Sequence, residues 1–328
     1  MPKSKKELGS QIAGNIRLLA ALIARKPAKY TPDWARTPEE SFFLYTKTST
    51  VDLVHSFNEG FIAEGWPFPA YVNLEQEIRA SFKMFGNRWI LLLRVISGKS
   101  GLFLQFFNAA LNNPENAKSQ TDRVMARYFR YHSGAILQKW KSLPLLSGKN
   151  LLVDEISATY KKRLWASCIS TTLPLLDFVM RNYLNTENLN AGIQLLRDAF
   201  FTVANLRAKD LKPGYAIWTA KDDPERGNTF AKSLEEDLRL PGIYLASFFE
   251  FANRYYAWYS STKGTPPTEL NRHAVIHCAS DYWTEVNAAK LLTFLDLTLR
   301  LEPYLRIIIH GESAADEILT TFKKQPSN

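Results

Sequence analysis

A chain of 328 residues, 46% of them apolar and 22% charged, can bury a large core and fits one large domain or two modest ones. Its longest apolar stretches fall short of the ~20 residues that span a bilayer, and Arg94 breaks the run from Trp89 to Ile96, so no membrane attachment is expected. Two cysteines, Cys168 and Cys278, lie far apart, which signals neither a disulfide framework nor a thiolate zinc site and points to a reducing, cytoplasmic setting.

Strand signals are sparse, while apolar residues recur at spacings of three and four, so the chain is expected to be all-α, a multi-helix bundle. Lys3, Lys5 and Lys6 precede the stretch Ile12 to Ala24 in the manner of a targeting peptide. Arg17 interrupts that stretch, however, and Ile12, Ile16, Leu19 and Ile23 share one helical face, which favours an amphipathic first helix. Proline, glycine and polar clusters predict breaks at 26–38, 65–69, 97–101, 112–116, 144–149, 212–227 and 262–267. The stretch 212–227 is long enough to be a functional loop. A boundary near residue 120 divides the chain into an N-terminal helical region, 1–120, with no role assigned, and a helical domain, 121–328.

The net charge of +9 is concentrated in the middle of the chain. Lys118, Arg123, Arg127, Arg130, Lys139, Lys141 and Lys149 are accompanied by the single acid Asp122. Arg123, Arg127 and Arg130 are spaced i, i+4, i+7 and fall along one helix face. Such a stripe can follow the backbone of a polyanion such as RNA and release counterions, or it can be a solvated face whose long side chains cover apolar surface.

Further along, a helix is predicted to end near Asn185, with Leu175, Leu176, Val179 and Tyr183 inward. Others follow over 188–208 and about 233–260. In the aromatic run from Phe248 to Tyr259, the residues Phe248, Phe251, Tyr255 and Tyr259 form a stripe suited to the core. Stacking of unpaired bases is the alternative use of these rings. Thr268, after Pro266 and Pro267, is expected to cap a short helix, 279–283 to form a turn, and Thr284 to cap the last long helix, with Leu291, Leu292, Leu295 and Leu299 inward.

The short helix holds the residues that look most like chemistry: Asn271, Arg272, His273 and His277, two of the five histidines beside an arginine. Imidazole exchanges protons near neutral pH, and guanidinium holds phosphate with a rigid donor fork. The R-x4-H form by itself carries little, because Arg127 and His132 repeat it. The second copy differs in its continuation, Asp281-Tyr282, Thr284-Glu285, Asn287-Ala288, Lys290-Leu291-Leu292 and Leu295-Asp296.

With that continuation, the segment 268–297, and more loosely 150–300, resembles the C-terminal part of the HEPN superfamily. These are all-helical domains whose R-x4-H motif cleaves RNA in many toxin, antiviral and CRISPR-associated members. The resemblance implies Arg272 and His277 as catalytic residues, His273 as their helper, and Asp177 as an acid that orients the motif helix. Asn271 and Asp281 would support the site. Relatives of this type carry glycine after the final histidine, where this chain has Cys278, and a side chain there crowds the turn that glycine permits.

The mechanism implied is metal-independent, without a cofactor: the ribose 2′-hydroxyl attacks its own phosphate, with His277 as acid or base and Arg272 stabilising the phosphorane. His273 and His277 stack on one helical face while Arg272 points away from it. Pairing of two protomers, as in such ribonucleases, would bring the groups together. The implied partners are therefore RNA, a second copy in a homodimer, and an antitoxin or defence protein. Two other readings use the same residues. His-x3-His is a metal-ligand spacing that Asp281 would continue on a longer helix, and histidines also pack structurally. A noncatalytic helical module binding nucleic acid or protein is the rival function. Phosphate-cradling glycine loops, nucleophile elbows and kinase signatures are absent from the sequence.

Overall fold

The computed structural model describes residues 4–25, 58, 61–62, 64–72, 117–184, 186–210, 240–259 and 265–315. The predicted breaks at 26–38, 97–101, 112–116 and 212–227 lie outside them. Among the described residues the protein is all-α with no strand, a multi-helix bundle. We number the helices α1 Lys5–Arg25, α2 Ala117–Trp140, α3 Asn150–Lys161, α4 Trp165–Leu184, α5 Leu189–Asp210, α6 Leu240–Tyr255, α7 Arg272–Ile276, α8 Glu285–Arg300 and α9 Glu302–His310.

The bundle is organised around α8. Its residues from Ala288 to Leu299 are all buried, as expected of a helix enclosed on every side. It packs against α2, α4, α6 and α9. Thr284 caps it, its side chain accepting from the Asn287 amide at 3.2 Å. Leu291, Leu292, Leu295 and Leu299 lie inward as their spacing predicts.

Enclosure of α8 also buries two charged residues, and both have partners, as burial of charge demands. Asp296 accepts from the Trp140 indole at 2.8 Å and from Arg300 Nε at 2.7 Å. The Lys290 ammonium stands 3.5 Å from Asp122 and 5.2 Å from the centre of the Trp66 ring. Burial lowers the Lys290 pKa, and the Asp122 carboxylate opposes that shift.

Helix α1 is amphipathic as read: Ile12, Ile16 and Leu19 are buried against α5 and α9. Asn15 secures it by donating to the Ile308 carbonyl at 2.9 Å. Phe61, Trp66 and Phe68 are also buried in this core. The Trp66 indole donates to Asp122 at 2.6 Å, and the Phe68 amide donates to Ser247 Oγ at 2.8 Å. Among the described residues, one core therefore holds side chains from both sides of residue 120.

Boundaries on the path to the motif follow the sequence closely. Helix α4 ends at Leu184 and α5 spans Leu189–Asp210. The break at 144–149 is a single 3₁₀ turn, Pro144–Leu146, closed by Gly148 with φ 78°. Helix α6 ends at Tyr255, earlier than the predicted 260, and the chain beyond it runs without regular structure through Tyr259.

Candidate functional site

The cap of α7 is set by a tertiary contact. Asn271, with extended backbone, caps the helix by accepting from the Ala274 amide at 3.0 Å. The expected cap at Thr268 is thus corrected by three residues. The physical reason is that Asn271 is buried and its amide group also donates to the carbonyls of Arg254, at 3.1 Å, and Ala257, at 3.0 Å. One side chain starts α7 and ties it to the chain leaving α6.

The helix then stops after five residues in a Schellman arrangement. The Ala279 amide donates to the Ala274 carbonyl at 2.9 Å, and the Cys278 amide donates to the Val275 carbonyl at 3.1 Å. This closure places Cys278 in the left-handed region, φ 48°, where glycine is the favoured residue. The turn still forms because the Cys278 side chain is exposed; it costs local backbone strain without displacing the core.

Arg272 reaches α4. Its Nε donates to Asp177 Oδ1 at 3.1 Å and Oδ2 at 3.0 Å, and its Nη2 donates to Oδ2 at 2.5 Å. The Tyr256 hydroxyl donates to the same carboxylate at 3.1 Å, and the Tyr256 ring centre lies 5.9 Å from the guanidinium carbon. Burial pulls the Arg272 pKa down, but the hydrogen bonds and charge of Asp177 outweigh it, and the net shift is upward. The fork leaves Nη1 without a hydrogen bond among the described residues. Burial drives the Tyr256 hydroxyl well above its usual range, with Tyr255 and Asp177 adding to the effect.

The histidines lie as i, i+4 geometry requires, their rings stacked with centres 6.0 Å apart and planes 21° from parallel. His273 is half-buried and His277 exposed. His273 also meets Trp258, 4.4 Å between centres and tilted by 58°. Burial lowers the His273 pKa, and the neighbouring charges of Arg272 and His277 lower it further. An imidazole neutral at pH 7 results.

Asp281 does not extend the histidine row, because α7 ends at Ile276; its Oδ1 instead accepts from the Trp283 amide at 3.2 Å within the predicted turn. Among the described residues, no group of three histidines, cysteines or acids is arranged to hold a metal ion.

The arginine stripe lies on α2, apart from this cluster in sequence. Arg123 is exposed and Arg127 half-buried. Arg130 makes a bidentate pair with Glu285, 2.7 Å from Nε and 2.6 Å from Nη2. The carboxylate lowers the positive potential that Arg130 presents, and the same pair pins α2 to the start of α8.

Two residues of the site escape a reading by spacing. Tyr256 donates to the acid that holds Arg272, and Trp258 leans on His273, yet neither is part of the 248/251/255/259 stripe. Among those four, Phe248, Phe251 and Tyr255 are buried and Tyr259 partly so. The only sequence signal for Tyr256 and Trp258 is membership of an aromatic run. Compared with protein-family models, curated proteins and solved structures, the chain matches none.

Proposed function

We propose that this protein is a metal-independent endoribonuclease of the HEPN type, a cytoplasmic toxin or phage-defence effector acting as a homodimer. The observation that carries the reading is the Arg272 fork on Asp177: the motif arginine is held by a dedicated acid from another helix, with one nitrogen to spare, on the same short helix turn that ends in an exposed imidazole. A guanidinium oriented this way is preorganised for phosphate, since its planar donors are aimed before substrate arrives.

In the proposed reaction His277 takes the proton of a ribose 2′-hydroxyl as its oxygen attacks the adjacent phosphorus. The new O2′–P bond forms, the P–O5′ bond breaks, and a protonated imidazole, His277 of a second copy, returns a proton to the departing 5′-oxygen. Arg272 Nη1 faces the negative charge of the phosphorane. His273, kept neutral by its surroundings, positions His277. The products are a cyclic phosphate end and a 5′-hydroxyl end, and DNA, lacking the attacking hydroxyl, survives.

The test is incubation of the purified protein with single-stranded and transfer RNA in EDTA, beside His277→Ala and Arg272→Lys. The lysine keeps a charge for Asp177 but loses the fork. Cleavage with cyclic phosphate ends, reduced at least ~100-fold in both variants while melting temperatures hold, is the expected result, in keeping with the size of general acid–base contributions. Intact RNA that is nonetheless bound favours a noncatalytic nucleic-acid-binding module. Cleavage that EDTA abolishes overturns the metal-independent mechanism.

A further inference from the structure

The aromatic run leaving α6 divides into two unlike parts. Phe248, Phe249, Phe251, Tyr255 and Tyr256 are buried, whereas Trp258 is 73% exposed. An exposed indole forgoes the large burial that this side chain ordinarily gains, and here it stands against the motif rather than at random on the surface.

We propose that Trp258 is a stacking platform for an unpaired nucleobase next to the scissile phosphate, so that the substrate of this site is single-stranded or looped RNA. The placement of the phosphate rests on the ribonuclease reading above; the stacking itself does not.

Three observations carry the assignment. Trp258 meets His273 at 4.4 Å with a 58° tilt, a contact that still leaves the side chain 73% exposed. His273 in turn stacks on His277 at 6.0 Å, so a row of two ring contacts links the indole to the proposed proton-transfer group. The row is also held in place: the Asn271 amide group binds the carbonyls of Arg254 and Ala257, the residue before Trp258, while its oxygen caps the helix carrying both histidines. The platform and the motif therefore keep one spacing.

The chemistry of the row selects the occupant. A purely apolar partner gains little from a surface on which the indole is followed by two imidazoles. A nucleotide uses all of it, because its base has a π-face for the indole and its phosphate can accept from the imidazole N–H donors beyond. Stacking on one indole tolerates any base but needs that base out of a duplex.

The experiment is fluorescence anisotropy with a dye-labelled 2′-O-methyl oligonucleotide, which cannot be cleaved by 2′-hydroxyl attack. It is titrated with wild type, Trp258→Ala, Trp258→Phe and His277→Ala, as single strand and as duplex. We expect Trp258→Ala to weaken single-strand binding about tenfold, within the range of one base–aromatic stack. Trp258→Phe should retain most of the affinity, and duplex binding should not change. Equal single-strand affinity of wild type and Trp258→Ala overturns the proposal, as does a dimer, seen by light scattering, that Trp258→Ala dissociates. Trp258-dependent binding in a protein that never cleaves RNA removes the nuclease and leaves the platform. Cleavage dependent on His277, with binding indifferent to Trp258, does the reverse.

Discussion

Arg127 to His132 and Arg272 to His277 share one sequence form and fold into opposite situations. The first lies within the 24-residue helix α2, which continues beyond its histidine. There His132 rests on Tyr128, ring centres 4.3 Å apart, and Arg130 is paired with Glu285. The second occupies a helix of five residues that stops at its histidine. There the arginine is forked by an acid from α4, and one imidazole, His273, contacts both an exposed indole and His277. Spacing is common to both; what separates them is an early helix end and the place of the forked arginine, which is the motif arginine Arg272 in one and Arg130, inside the motif, in the other.

The sharpest way to break this comparison is to remove the acid of each fork. The Arg272–Asp177 pair is largely withdrawn from solvent, its side chains 22% and 18% exposed, while Arg130 in the other pair is 47% exposed. Loss of one partner from a buried pair leaves an uncompensated charge, whereas exposed pairs contribute little. Asp177→Asn should therefore cost about 2–3 kcal/mol, discounted from the fully buried case, and Glu285→Gln about 0.5 kcal/mol, both read from urea denaturation midpoints. Equal costs would mean that Asp177 holds Arg272 no more firmly than a surface pair does.

A smaller effect probes the helix end. Cys278 occupies the left-handed position of the Schellman turn, so Cys278→Gly should stabilise the fold by roughly 0.5–1 kcal/mol, the strain relieved less the greater freedom of glycine in the unfolded chain. A loss of stability in denaturant melts would show that the thiol makes a contact stronger than the strain it causes.

The smallest effect is in pH. His273 binds its proton less readily in the folded protein than in the unfolded chain, because of burial and the charges of Arg272 and His277. The unfolded state then holds more protons between the lowered folded pKa and the ordinary value of about 6.5. Stability contributed by the neutral ring is fully present above about pH 6.5 and declines as pH falls through that window. His273→Gln should flatten this part of the profile, measured as melting temperature at successive pH values. An unchanged slope would assign the acid sensitivity to other groups.

Much of the fold was legible in the sequence, for a local reason. Apolar residues at three and four spacing set the buried faces of α1, α4 and α8, and Thr284 announced its own cap. The cap of α7 was not legible: Thr268 and Asn271 are both competent capping residues, and the choice fell to Asn271 because its amide could also satisfy two carbonyls left by the end of α6. The end of α6 at Tyr255 was hidden for a related reason, since the aromatic run continues past it with no proline or glycine before Gly264. Asp177 was singled out by resemblance alone, and its meeting with Arg272 joins residues 95 positions apart. Tyr256, the third member of that cluster, carried no mark of its own.

By itself, then, the sequence determined an all-α chain, the faces its helices bury, and the residues able to move a proton or hold a phosphate, because periodicity and side-chain chemistry are properties of single segments. Tertiary structure alone decided that α7 stops within five residues, that Arg272 is oriented by Asp177 and Tyr256, and that Trp258 stands in the open beside His273. Each of these depends on hydrogen bonds, charges or ring contacts between segments that only the packed chain brings into reach.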